Sequence, residues 1–245
     1  MASQGVKLGL GVVGVFAVFV GGYLAYVHHR NAVDNAAPPE VVVKSDPDDL
    51  VFLKNEHPMS LKDEKDLKGR TLWMSAGGQM RYFPFSGRVD YAHTQGVLLG
   101  AEKITVKDAV EQAAPKTQDA TFYIPAGDKQ VLLVFTKDGD SKEYAVPVGY
   151  VEKGAYTFAT DQMFFYEDPH TLYAHWGPEI WKAVDEHRAI LGMNERQVQM
   201  ALGQVSDPQG DKPGDRVVVY DDQGKPKRVT FAHGKATKIE DVPGS

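Results

Sequence analysis

Hydrophobic and polar positions divide the chain into three stretches. The first runs from Leu8 to Val27, twenty residues without a charge, bounded by Lys7 and by the His28-His29-Arg30 cluster. At about 1.5 Å per residue such a run spans roughly 30 Å, the hydrocarbon thickness of a bilayer, and predicts a single transmembrane helix over 1–30. A polar stretch over 31–49 follows, with Pro38, Pro39 and Pro47 among Asp46, Asp48 and Asp49, and reads as an extended, solvated linker. From Leu50 onward apolar residues recur first at the period of strands and then at that of helices.

Residues 50–158 read as a β-rich domain. Ser60 followed by Asp63 signals a capped short helix through Lys68, with Gly69 at its end. Arg70–Ser75 and Gln79–Phe85 read as strands joined by the Gly77-Gly78 turn, the second one an edge because of Pro84. Val106–Ala113 reads as a short helix stopped by Pro115. The clearest hairpin joins Gln130–Thr136 to Glu143–Val151 through Asp138-Gly139, and the continuous apolar run of its first arm predicts a buried central strand. The expected architecture is a small antiparallel sheet of the barrel or SH3-like kind.

Residues 159–245 change to helical spacing. Asp161 and Asp168 sit at turn and cap positions, Gly177-Pro178 opens a helix to about Ala189, and Asn194 caps another through Leu202, ended by Gly203. Three strands follow at Arg216–Tyr220, Pro226–His233 and Ala236–Glu240. The overall expectation is an α+β chain. It has an N-terminal transmembrane helix, a small antiparallel β domain, and a C-terminal module of two helices and a three-stranded antiparallel sheet.

Within this last part, Gly192-Met193, Gln197-Val198, Ala201-Leu202-Gly203, Tyr220, Val229-Thr230-Phe231 and Gly234-Lys235-Ala236 stand in an order that resembles the SmpA/OmlA, or BamE-like, outer-membrane assembly module. The resemblance covers about Glu179 to Val242. It departs from the family pattern in the displaced Pro208 and in having no lipid-bearing cysteine. It implies a bacterial, non-enzymatic module of the cell envelope that contacts partner proteins.

Composition narrows the chemistry. There is no cysteine, which removes disulfides, thiolate metal sites, thiol nucleophiles and a lipoprotein anchor. The net charge of −6 without basic clusters disfavours nucleic acid. No phosphate-binding loop, dinucleotide fingerprint or nucleophile elbow occurs, and the histidine spacing around His170, His175 and His187 matches no common zinc site. No catalytic residue, cofactor or metal is expected.

Two residue groups stand out as candidate contact surfaces. Gly11, Gly14, Gly21, Gly22 and Ala25 share one face of the expected span, suited to self-association or a partner helix. Phe165, Tyr166, His170, Tyr173, His175, Trp176 and Trp181 form either an interaction surface or the core joining the two halves of the body.

The expected protein is a single-pass envelope scaffold. Its amino terminus lies inside, its body is periplasmic, and its partners are the bilayer and an envelope protein. The alternatives are an accessory subunit docked through the glycine face, and a ligand binder or enzyme using residues 164–181.

Overall fold

A computed structural model of the chain describes residues 22–30, 46–77, 79–115, 124–210 and 212–242. Residues 1–46 and 47–245 form two separate units.

In the first unit, residues 22–30 are helical (α1), with Tyr23, Leu24 and Tyr26 exposed. This corrects the reading of a membrane anchor. Among the described residues no helix is long and apolar enough to cross a membrane. The nine described residues of α1 rise only about 13 Å, under half of a hydrocarbon core. Most of the expected span, Leu8 to Gly21, lies outside the described residues. The single-pass topology and the periplasmic placement of the body therefore lose the helix on which they rested.

The second unit opens with a 3-10 turn, Pro47–Leu50, and an extended strap that reaches Met59 without regular structure. Helix α2 (Leu61–Lys65) is capped by Ser60, whose hydroxyl accepts from Asp63 N, while Met59 N donates to Asp63 Oδ2. Eight antiparallel strands then build one curled sheet: β1 (Thr71–Met74), β2 (Met80–Pro84), β3 (Gly96–Leu98), β4 (Lys103–Gln112), β5 (Lys129–Lys137), β6 (Tyr144–Glu152), β7 (Ala155–Phe158) and β8 (Phe164–Phe165). Their order is β3-β2-β6-β5-β4-β1-β8, with β7 paired to β6. The β5–β6 hairpin stands where the apolar run places it, and Val131 to Phe135 are buried on both faces. On the concave side Leu72, Ile104, Leu133, Phe135 and Val146 meet in one core; on the other, Leu132 packs under Phe83 and Val89.

Strand β4 replaces the helix expected at Val106–Ala113. A bulge between Val106 and Asp108 shifts the register, so Val106 and Ala109 face the core three positions apart. That interval mimics the helical period, whereas a regular strand alternates by two. Strand β2 is flanked by β3 and β6 and so is not an edge; only Pro84, beyond the last β3 pair, stands where its missing N–H is harmless.

The rest of the unit comprises α3 (Thr160–Met163), α4 (Pro169–Leu172), α5 (Pro178–Asp185) and α6 (Glu195–Leu202). They precede a sheet of order β12-β11-β10-β9. Its strands are β9 (Val205–Gln209), β10 (Val217–Tyr220), β11 (Lys227–Ala232) and β12 (Lys235–Asp241). The module is thus four-stranded, not three-stranded. Strand β9 carries Pro208, buries none of its residues and has no apolar alternation to announce it. Helix α6 has a reciprocal capping box, Asn194 with Gln197, and its apolar residues Val198, Ala201 and Leu202 lie with Val218, Tyr220 and Phe231 in a second core.

The two halves touch backbone to backbone. A Cβ on Gly100 would stand 2.1 Å from Met200 O, and one on Gly203, whose φ is +91°, would stand 1.7 Å from Gln79 Nε2. The Gln79 amide lies flat there and donates to Leu202 O at 3.1 Å. Because the obstacle at Gly100 is backbone, Gly100→Ala is expected to cost about 1–3 kcal/mol by overpacking. Urea unfolding should show a lower midpoint at unchanged slope.

Candidate functional site

The strap is held at both ends by aspartates. Asp48 is only 5% exposed, and its Oδ1 accepts from Trp176 Nε1 at 2.6 Å and lies 2.6 Å from His175 Nε2. Its Oδ2 accepts from Asn194 Nδ2 at 2.9 Å, and its carbonyl accepts from Arg196 Nη1 at 3.0 Å. Burial alone would raise its pKa, but the Trp176, His175 and Asn194 hydrogen bonds and the Arg196 charge outweigh this and hold it below the ordinary value. At the other end Asp161 Oδ1 accepts from Glu56 N (3.1 Å) and from the Tyr166 hydroxyl (2.7 Å), and Oδ2 accepts from His57 N (2.9 Å). The same contest between burial and donors lowers its pKa. Arg70 steadies this end, donating to Glu56 Oε1 at 2.8 Å while lying over the Tyr166 ring.

Between these pins the backbone of Phe52, Leu53, Lys54 and Asn55 makes no hydrogen bond among the described residues. Leu50 is 62% exposed, Phe52 88% and Met59 82%. Beneath lies a cleft of about 510 Å³ between the strap, the sheet rim at Ser75-Ala76 and Arg196 and Gln199 of α6.

Glu64 lies beside the second pin. It is fully buried, its Oε1 accepts from the Thr160 hydroxyl, and its Oε2 has no partner. Burial, then the charges of Asp161 and Asp63, push its pKa up to about 7 against the Thr160 hydrogen bond.

Of the residues singled out from sequence, Phe165, Tyr166, Tyr173, Trp176 and Trp181 are all buried. Tyr173, Trp176, Trp181 and His170 stack in succession at 4.7, 4.9 and 4.1 Å between ring centroids. Phe165 packs on Tyr173, and His175 joins this group through Asp48. Tyr166 lies apart, in the core of the curled sheet. His170 bridges Asp168 (2.9 Å) and Asp185 (3.0 Å) and remains half-exposed. Gly22 and Ala25 are exposed on α1, while Gly11, Gly14 and Gly21 lie outside the described residues. Among the described residues, no group of three or more acidic or histidine side chains is placed to hold a metal.

Sequence reasoning passed over Asp48, Phe52, Met59, Glu64 and Arg196. Only Phe52-Leu53, apolar residues directly after a supposed linker, hinted at the strap.

No family model, curated protein or solved structure matches the chain.

Asp48→Ala leaves the buried Trp176 and Asn194 donors unpaired and should cost about 2–4 kcal/mol, read as a lower denaturation midpoint with a changed tryptophan emission. Glu64 works in the opposite direction. Its folded pKa is raised, so its contribution is fully present below about 4.5, its unfolded value, and is lost as pH rises through about 7. Burial lowers the pKa of His187, whose contribution therefore falls as pH drops below about 6.5, so parent and Glu64→Gln must be compared directly. Relative to the parent, Glu64→Gln should gain on the order of 2–3 kcal/mol between pH 4.5 and 8. A constant difference across that range would refute this.

Proposed function

We propose that residues 47–245 act as a non-enzymatic protein-interaction module that engages a partner through the strap. The observation that carries this reading is a single ordered, extended segment presenting Leu50, Phe52 and Met59 to solvent. Isolated exposed apolar residues are ordinary, but three on ten residues pinned by buried carboxylates form a pre-ordered patch. Because Asp48 and Asp161 hold it in place, binding loses little chain entropy, and Phe52 supplies the aromatic anchor that dominates such contacts. Binding rather than catalysis suits the carboxylates: both are taken up by donors that position the strap. The protein-contact role implied by the SmpA/OmlA resemblance of Glu179 to Val242 points the same way.

The test is quantitative co-purification from native cells with the tagged full chain and with Phe52→Asp combined with Met59→Asp. Both side chains are exposed, so the variant should keep the parent's melting temperature. The expected result is reproducible partners with the parent and at least about tenfold less of them with the variant. Equal recovery by both chains would sink the reading.

A further inference from the structure

The cleft beneath the strap has more structure than an interaction surface requires. Its volume, about 510 Å³, falls within the range of roughly 300–1,000 Å³ typical of ligand sites. Two smaller clefts of about 360 and 220 Å³ continue along the strap at His57–Met59, and Asp161 and Gln162 line both the largest and the smallest. The space is therefore a groove that follows an extended chain.

Three features set the chemistry of its occupant. First, the strap backbone from Phe52 to Asn55 and the side-chain amides of Asn55 and Gln199 make no hydrogen bonds among the described residues. Free donors and acceptors in a row match another extended backbone. Second, Phe165 and Tyr173 line the groove and offer apolar contact. Third, Arg196 is only partly used. Its Nη1 donates to the Asp48 carbonyl, but Nη2 is 3.9 Å from Asp49, too far for a hydrogen bond, and its guanidinium lies 6.0 Å from the centre of the Tyr173 ring.

The acidic lining does not cancel this cation. Asp48 and Asp161 are already surrounded by donors, and Lys54 pairs with Glu56 at 2.9 Å. The 6.0 Å from guanidinium to ring approximates the roughly 6.6 Å between side chains two positions apart on one face of a strand.

We propose that the groove takes an extended segment of a partner protein in which an acidic side chain and an apolar one stand two residues apart. The segment's backbone pairs with Phe52–Asn55, its carboxylate meets Arg196 Nη2, and its apolar side chain lies against Phe165 and Tyr173. This rests on the interaction-module reading and names the kind of segment that module takes.

The test uses the full chain and a fluorescent, capped heptapeptide, Thr-Val-Thr-Glu-Thr-Val-Thr, beside its glutamine form and a form with proline replacing the threonine before glutamate. The glutamate peptide should bind about tenfold more tightly than the glutamine form, as one charge-assisted hydrogen bond implies. The proline form, lacking an N–H for pairing, should bind more weakly still. Arg196→Gln should abolish the glutamate preference, and binding should slow hydrogen exchange at Phe52–Asn55.

The comparison of peptides on the parent chain needs no variant, so it decides the matter even where Arg196→Gln loses stability. Equal affinity for glutamate and glutamine peptides, binding without new protection of the strap, or no binding up to about 1 mM overturns the proposal. If co-purification still depends on Phe52 and Met59 after such a result, the interaction module stands and only the groove's occupant is wrong.

Discussion

A carboxylate taken out of water must recover its lost hydration from donors, and at Asp48 those donors arrive from far along the chain. His175, Trp176 and Asn194 lie 127, 128 and 146 residues away in sequence. Each donor also has structural work of its own. Trp176 sits within the stack between Tyr173 and Trp181. Asn194 caps α6 with its oxygen, accepting from Gln197 N, while its amide nitrogen donates to Asp48. The strap, the aromatic stack and the start of α6 are therefore positioned by one buried charge, and a change at any of them is felt by the others.

The second constraint is close approach. Gly100 and Gly203 let the curled sheet and α6 meet with no side chain between them, so two layers that each bury one face share a boundary. The strap crosses that boundary, tied on one side to Trp176 and Asn194 and on the other to α3 through Asp161. The groove beneath it exists because the strap is pinned at its ends and left unpaired in its middle. Glu64 sits one residue from the second pin through Thr160, so the protonation of a buried side chain bears on the same segment.

Where sequence reading and fold part company, the causes are specific. The bulge in β4 puts Val106 and Ala109 on one face three positions apart, an interval that local periodicity cannot tell from a helix. Strand β9 has no buried residue and is held only by pairing with β10. Asp48 looks like any linker aspartate, because burial is conferred by residues that approach only after folding. The aromatic segment from Phe165 to Trp181 was legible as either surface or core, and its five largest rings are buried.

By itself the sequence determined what depends on near neighbours. It set the buried β5 arm and its turn, the Ser60 and Asn194 caps, the helix ends at glycine and the alternation of Val217, Val219, Val229 and Phe231, because propensity, capping and period act over a few residues. Only the tertiary structure decided which polar residues would be buried, which backbone would go unpaired and where a groove would open. Those properties belong to contacts between segments more than a hundred residues apart, and no local pattern encodes them.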